Sequence, residues 1–345
     1  ITGDPQRIDG AVNFNPVVQF DGNDRFQFSS SPFVTNFAAG EAFGILKDNV
    51  YTSCNCGHLF DFGGSSRSFH YTWGNAAIYE GFGTNNRLGW NPLTGGIVDG
   101  KSGIASIAAL ADPRNFHLYN VHSATNDWGV FFDGNEVGST TINTTNFSLS
   151  AHNEQIGGAT ANIFNGDGAE VLLFDRVLSP AERMRVNSYL ATKYGVSLGT
   201  TASPSDYVAS DGVTIYWTGD AVYQNNVTGI GRDDTSGLDQ RQSQNVNPQD
   251  GGDLVTMGLG TIAGDNGSNP NAFGADLDFM MWGDNGLSSD FGVVFTPPGG
   301  VNANFHMART WNIQETGTVG TVKITVPNSL GGGDPVYLIV SNDDI

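Results

Sequence analysis

Acidic side chains in glycine-rich turns are the first candidates for chemistry. Asp21 and Asp24 lie in Phe20-Asp-Gly-Asn-Asp-Arg-Phe26, and Asp167 and Glu170 in Gly166-Asp-Gly-Ala-Glu170. A hard cation takes carboxylate, amide and carbonyl oxygens from such loops, so these four are the candidate Ca2+ ligands. They can meet only if the first and last strands of their domain are neighbours. Asp-Gly pairs also form ordinary turns, and that plainer reading stands beside the metal one. Further along, Arg232-Asp-Asp234 reads as a buried ion pair fixing a turn. Asp276, Asp278 and Asp284 flank Phe279-Met-Met-Trp282, a core-strand pattern.

Carbohydrate recognition needs aromatic faces for stacking and planar polar groups beside them. Trp90 in Leu88-Gly-Trp-Asn91 and Trp128 in Asn126-Asp-Trp-Gly129 sit among polar residues. Asn91, Asn126 and Asp127 are their candidate hydrogen-bonding partners. The alternative is that both rings cap a core. Sugar hydrolysis needs two carboxyl groups across the scissile bond. The Glu-x-Asp-x-x-Glu strand pattern of jelly-roll glucanases is absent, and His58, His70, His117, His122, His152 and His306 are scattered. No catalytic residue is expected, and a polysaccharide-degrading enzyme is the least favoured reading.

Thirty-five acids against 15 bases leave a net charge of −20. Nucleic acid is therefore not an expected partner, nor is an anionic membrane surface. No apolar run reaches the roughly 18 residues of a membrane span. Cys54 and Cys56 are one residue apart, so a bridge between them would be strained, and two thiols are too few for structural zinc. They read as loop thiols. The chain opens at Ile1 without a Met, which suggests a processed product or an excised fragment. Its last strand pattern, Tyr337-Leu-Ile-Val340, falls just before the end. The second domain is thus expected to be incomplete there, with an edge open to a strand-donating chain.

The elements that must position these residues are short strands. Forty-seven glycines imply many turns. Phe26 and Phe28 alternate with polar neighbours, as do Phe69, Tyr71 and Trp73 with Ser68, His70 and Thr72. Val213, Ile215 and Trp217 form another stripe, and Val322, Ile324 and Val326 a fourth. Asp133-Gly134 between apolar runs predicts a hairpin. One helix is predicted over about 179–194: Ser179 is the cap, Pro180 the first helical residue, Glu182 the capping-box partner and Gly195 the stop. Residues 199–210, rich in Thr, Ser and Pro, read as a linker with little to bury, and 264–274 as a mobile loop. With 345 residues, two domains are expected: 1–198 and 211–345.

Two stretches carry a family resemblance. Asn165-Gly-Asp-Gly-Ala-Glu-Val-Leu-Leu-Phe-Asp-Arg-Val-Leu-Ser-Pro-Ala-Glu-Arg183, continuing to Tyr189-Leu-Ala-Thr-Lys-Tyr-Gly195, resembles the closing strand and helix of laminin-G-like, concanavalin A-like jelly rolls in Bacteroidota surface proteins. Phe20 to Phe26 is similar to that family's opening strand. Tyr216-Trp-Thr-Gly-Asp220, Gly229-Ile-Gly-Arg-Asp-Asp234 and Gln240-Arg-Gln-Ser243 resemble a domain of unknown function that follows such jelly rolls in large adhesins. The resemblance implies an all-β chain, a jelly-roll sandwich followed by a smaller sandwich. It also implies type IX export and display at the cell surface. The resemblance implies no ligand; together with the acidity and the missing catalytic pattern, it gives as the expected function a non-catalytic adhesion or binding module, carbohydrate-binding and Ca2+-stabilised, with a surface glycan or neighbouring protein domains as partner. The alternative is a structural spacer in a surface stalk or filament.

Overall fold

The computed structural model describes residues 1–29, 38–50, 57–61, 68–71, 76–84, 86–145, 147, 154–159, 162–246, 254–294, 305–332 and 334–341. Cys54, Cys56, Trp73 and His152 fall outside these residues. The chain is all-β, with one α-helix among the described residues. No helix there is long and apolar enough to cross a membrane.

A seven-stranded antiparallel sheet carries the first lobe. Its spatial order is Gln6–Val12, Asn15–Asp21, Asn165–Phe174, Gly40–Asp48, His117–Ala124, Asp127–Phe132 and Asn135–Thr140. Opening and closing strands are therefore neighbours, Asn165 standing opposite Asp21. The predicted hairpin is present: Asp133 and Gly134 take φ of 49° and 78°, the two positive values of a type I′ turn. One face of this sheet packs Leu46, Tyr119, Val121 and Trp128 against Phe60 and Phe69 of a smaller sheet. Phe26 and Phe28 lean on that core, as their alternation predicts. Ile78, Leu88 and Trp90 join it from a three-stranded sheet made of Ile78–Glu80, Leu88–Trp90 and Ile97–Asp99. This extra layer explains a departure from the period-two reading. Phe69 and Tyr71 are buried as expected, yet Ser68 and His70 are buried too, because both faces of their strand are covered.

The other face of the large sheet carries the helix, Pro180–Tyr194. The Ser179 hydroxyl accepts from the Glu182 N–H and the Glu182 carboxylate from the Ser179 N–H, closing the capping box. Gly195 stops the helix at φ 68°. Leu190, Ala191 and Tyr194 meet Val17, Phe43, Ile45 and Leu118 of the sheet. The same cluster contains Tyr207, Tyr216, Trp217, Val227, Phe279 and Met281 from the second lobe. The helix thus lies between two sheets. That placement explains why small polar residues are buried along it: the Ser188 hydroxyl accepts from the Val208 N–H, and Thr192 Oγ1 meets the Tyr216 hydroxyl at 3.0 Å.

The second sheet runs Leu238–Gln240, Asn225–Asp233, Phe279–Asp284 and Trp311–Thr316. Its far face packs Ile230 and Trp282 on Met257 and Leu259 of a three-stranded sheet, Gln242–Ser243, Thr256–Leu259 and Val322–Thr325. Three expectations change here. Residues 199–210 are not empty of core: Tyr207 and Ala209 are buried, and the Tyr207 hydroxyl accepts from the Leu198 N–H. In the stripe from Val213 to Trp217 the inward residues are Tyr216 and Trp217, while Ile215 stays 48% exposed; among the described residues this strand, Ile215–Trp217, pairs with Tyr207–Val208 alone. Residues 264–274 are built around a 3-10 turn, with Asn269 buried and donating to the Leu259 and Thr261 carbonyls. Val336, Tyr337, Leu338, Ile339 and Val340 stand exposed.

Candidate functional site

The four carboxylates proposed for Ca2+ fall into three networks, Asp21 and Asp24 sharing one. Asp24 is buried and accepts from the Asp4 and Asp21 N–H groups. Asp21 is exposed and caps the Asn23 N–H. Asp167 pairs with Lys47 at 3.1 Å and accepts from Gln19 and Asn49 side chains. A bulge after Gly168 turns Glu170 to the helix side, where it takes Lys193 at 2.8 Å and the Tyr189 and Tyr194 hydroxyls. Among the described residues no three His, Cys, Asp or Glu side chains converge as a metal group. No three of these four carboxylates converge on one point.

The aromatic candidates are displaced more sharply. Trp90 and Trp128 are both 0% exposed, members of the first-lobe core, and offer no face to a sugar. Asn91 caps the N–H groups of Leu93 and Thr94. Asn126 takes φ 60° in the turn after His117–Ala124 and donates its N–H to the Asn143 carbonyl. Asp127 remains exposed, 2.9 Å from His122 Nε2. In the second lobe Arg232 does pair with Asp234, at 2.7 Å, but on the surface; the buried acid of that turn is Asp233. Asp278 and Asp284 are buried acceptors of turn N–H groups.

The chain does contain one Gly-x-Ser-x-Gly spacing, Gly195-Val-Ser-Leu-Gly199. A nucleophile elbow needs a strand before the serine and a helix after it. Here the helix comes first. Ser197 Oγ donates to the Val227 carbonyl and accepts from Asn245, so it fastens the second lobe.

A cleft of about 370 Å³ opens where the helix, the closing strand and the second lobe meet. Its apolar floor is Leu172, Phe174, Val186 and Leu238. Phe174 and Tyr189 are half-buried; the Phe174 ring meets Phe43 edge to face at 5.9 Å, and Lys193 Nζ lies 5.0 Å over the Tyr189 ring. Around them stand Glu170, Arg185, Ser210 and Asp233. Arg185 donates to the Ser210 carbonyl, and Asp233 accepts from the Ser210 N–H and hydroxyl. At one end Arg176 grips Glu182 through two hydrogen bonds, which hold that carboxyl down at about 2. The sequence concealed this cleft because its walls come from both sides of the presumed linker. The one available signal was the helix itself, whose Val186, Tyr189, Leu190 and Tyr194 sit beside buried Ser188 and Thr192 and imply cover on more than one side.

A second concentration of chemistry lies inside the first lobe. The His58 and His70 rings meet edge to face at 4.1 Å. His58 is 3.6 Å from Asp61, and His70 is 3.8 Å from Glu80. Glu80 also accepts from the Gly81 and Phe82 N–H groups and the Tyr119 hydroxyl. Burial lowers both imidazoles to about 4 and raises Glu80 to about 8. All of these side chains are buried.

The solved structures similar to the chain are distant. Domain 4 of AbnA, a GH43 extracellular arabinanase from Geobacillus stearothermophilus, solved with arabinotriose, is 14% identical with a TM-score of 0.31, covering 52% of this chain and 79% of that one. A candidate carbohydrate-binding protein from Bacteroides ovatus is 13% identical with a TM-score of 0.35, over 59% of this chain and 53% of that one. The binding domain of botulinum neurotoxin serotype D is 10% identical with a TM-score of 0.38, over 93% and 73%. What those proteins bind belongs to them, and this site has to be read from its own residues. No curated protein sequence matches the chain. Residues 182–345 match the family model of a domain of unknown function, DUF8202, a span that starts inside the helix.

Proposed function

We propose that the chain is a non-catalytic recognition module of an exported surface protein, and that it takes a carbohydrate in the cleft beside the helix. The observation that carries this is the pairing of half-buried rings, Phe174 and Tyr189, with planar polar groups in one depression of about 370 Å³. Sugars combine apolar ring faces with dense hydroxyls, and such a lining answers both. The carboxylates of the cleft are poorly suited to hydrolysis. Glycosidases need one acid with a raised pKa. Glu182 is instead held low by Arg176, Glu170 is committed to Lys193 and two tyrosines, and Asp233 accepts from the Ser210 N–H and hydroxyl.

A glycan array with the full chain, followed by calorimetry on any hit, tests the reading. Arg185→Ala and Phe174→Ser should each weaken binding at least tenfold while the fold persists. Binding that ignores both substitutions, or no binding to any glycan, would reject it. A rigid spacer is the second reading, favoured by the apolar cluster that the helix shares with both sheets. It expects no glycan ligand at all.

A further inference from the structure

Lys101 is buried, and its ammonium makes three hydrogen bonds: to Asn86 O at 2.7 Å, Asn143 Oδ1 at 3.1 Å and Thr84 Oγ1 at 3.3 Å. All three acceptors are neutral. They match the three N–H groups of an ammonium one for one. The indole of Trp128 closes a fourth side, its ring centre 4.7 Å from Nζ. No carboxylate pairs with Lys101 among the described residues; Glu80 acts on it only at longer range.

The acceptors are held in place independently of the lysine. Asn143 Nδ2 donates to Ser123 Oγ, Ala124 O and Asp127 O, which aims its Oδ1 at the ammonium. Asn86 Oδ1 accepts from the Ser102 N–H. Buried neutral oxygens around a positive point, backed by a π face, are what a small monovalent cation would find attractive.

We propose that the Lys101 ammonium is a tethered monovalent cation filling a cation cage, and that the cage binds a free alkylammonium ion once the lysine is shortened. In the native chain this internal cation ties Thr84, Asn86, residues 101–104 and Asn143 to the turn Thr125–Asn126. That end of the sandwich is then ordered without a dissolved ion.

Lys101→Met keeps an apolar stem against Trp128 and removes the charge. Lys101→Ala leaves a space that n-propylammonium would fill. Melting temperature and hydrogen exchange of residues 84–86 and 143–145 are the readouts, with 1-propanol as the neutral control. Lys101→Met should melt about 3–6 °C lower and exchange faster in those loops. Propylammonium should restore Lys101→Ala, in melting or in refolding yield, while leaving the wild type and Lys101→Met unchanged. Wild-type behaviour of Lys101→Met overturns the proposal. So does rescue of Lys101→Ala by 1-propanol as good as rescue by propylammonium, or no rescue by propylammonium at all.

Discussion

Glu41 and Arg183 form an ion pair of 2.5 Å in which the carboxylate is wholly removed from water. Glu41 stands on a central strand of the large sheet and Arg183 in the first turns of the helix. The same carboxylate accepts from Asn120 Nδ2 and the Leu178 N–H, and the guanidinium lies over Phe131. Removing the cation alone strands a buried negative charge. Arg183→Met is therefore expected to cost about 3–5 kcal/mol in urea unfolding. A loss below 1 kcal/mol would show that water reaches Glu41.

The helix shared between sheets sets the cooperativity of unfolding. Leu190→Ala removes a buried side chain from the common cluster and should cost about 2–5 kcal/mol. Calorimetry should show one transition in the parent and one lowered transition in the variant. Two separated transitions, only one of them shifted, would mean that the lobes unfold independently.

Asn13 joins three segments. It takes φ 44°, donates to the last helix carbonyls at Thr192 and Lys193, and accepts from the Gln244 N–H. Asn13→Ala loses these bonds and strains a left-handed backbone, for about 2–3 kcal/mol in total. Asn13→Gly, free of that strain, should recover about 1 kcal/mol of the loss. Equal losses in the two variants would remove the backbone part of the argument.

The buried imidazoles and Glu80 shape the pH dependence in opposite directions. His58 and His70 have folded values near 4 against an ordinary 6.5, so the folded state binds fewer protons and stability falls as pH drops from 6.5 toward 4. Glu80 has a folded value near 8 against an ordinary 4.5, so the folded state binds more protons and stability falls as pH rises from 4.5 through 8. Two imidazoles outweigh one carboxyl below 6.5. The contribution of this cluster should therefore peak near pH 6.5. Unfolding free energies between pH 4 and 8 test this, and Glu80→Gln should remove the alkaline fall and steepen the rise in stability between pH 4.5 and 6.5.

Features written in neighbouring residues were legible from the sequence. The helix boundaries follow from Ser179, Pro180, Glu182 and Gly195, and the hairpin from Asp133-Gly134, because capping and turn chemistry act over a few residues. The burial of Trp90 matches the core alternative stated from the sequence; what the polar neighbours conceal is the strand Ile78–Glu80 that pairs with its own. For Trp128 the core alternative likewise holds, but the Lys101 ammonium over its ring comes from a distant loop that no local pattern shows. The presumed linker was read from its average composition, which hides a single decisive residue, Tyr207. The cleft arises only when residues 170–189 meet residues 208–238, and no local pattern announces such a meeting.

The helix floors two rooms at once, and this bears on how the chain can be divided. A fragment cut before residue 180 would leave Phe43, Ile45 and Leu118 bare to water. A fragment cut after residue 198 would do the same to Val227, Phe279 and Met281. Whichever half surrenders the helix inherits a sticky surface, so aggregation of that half is the expected outcome of careless dissection.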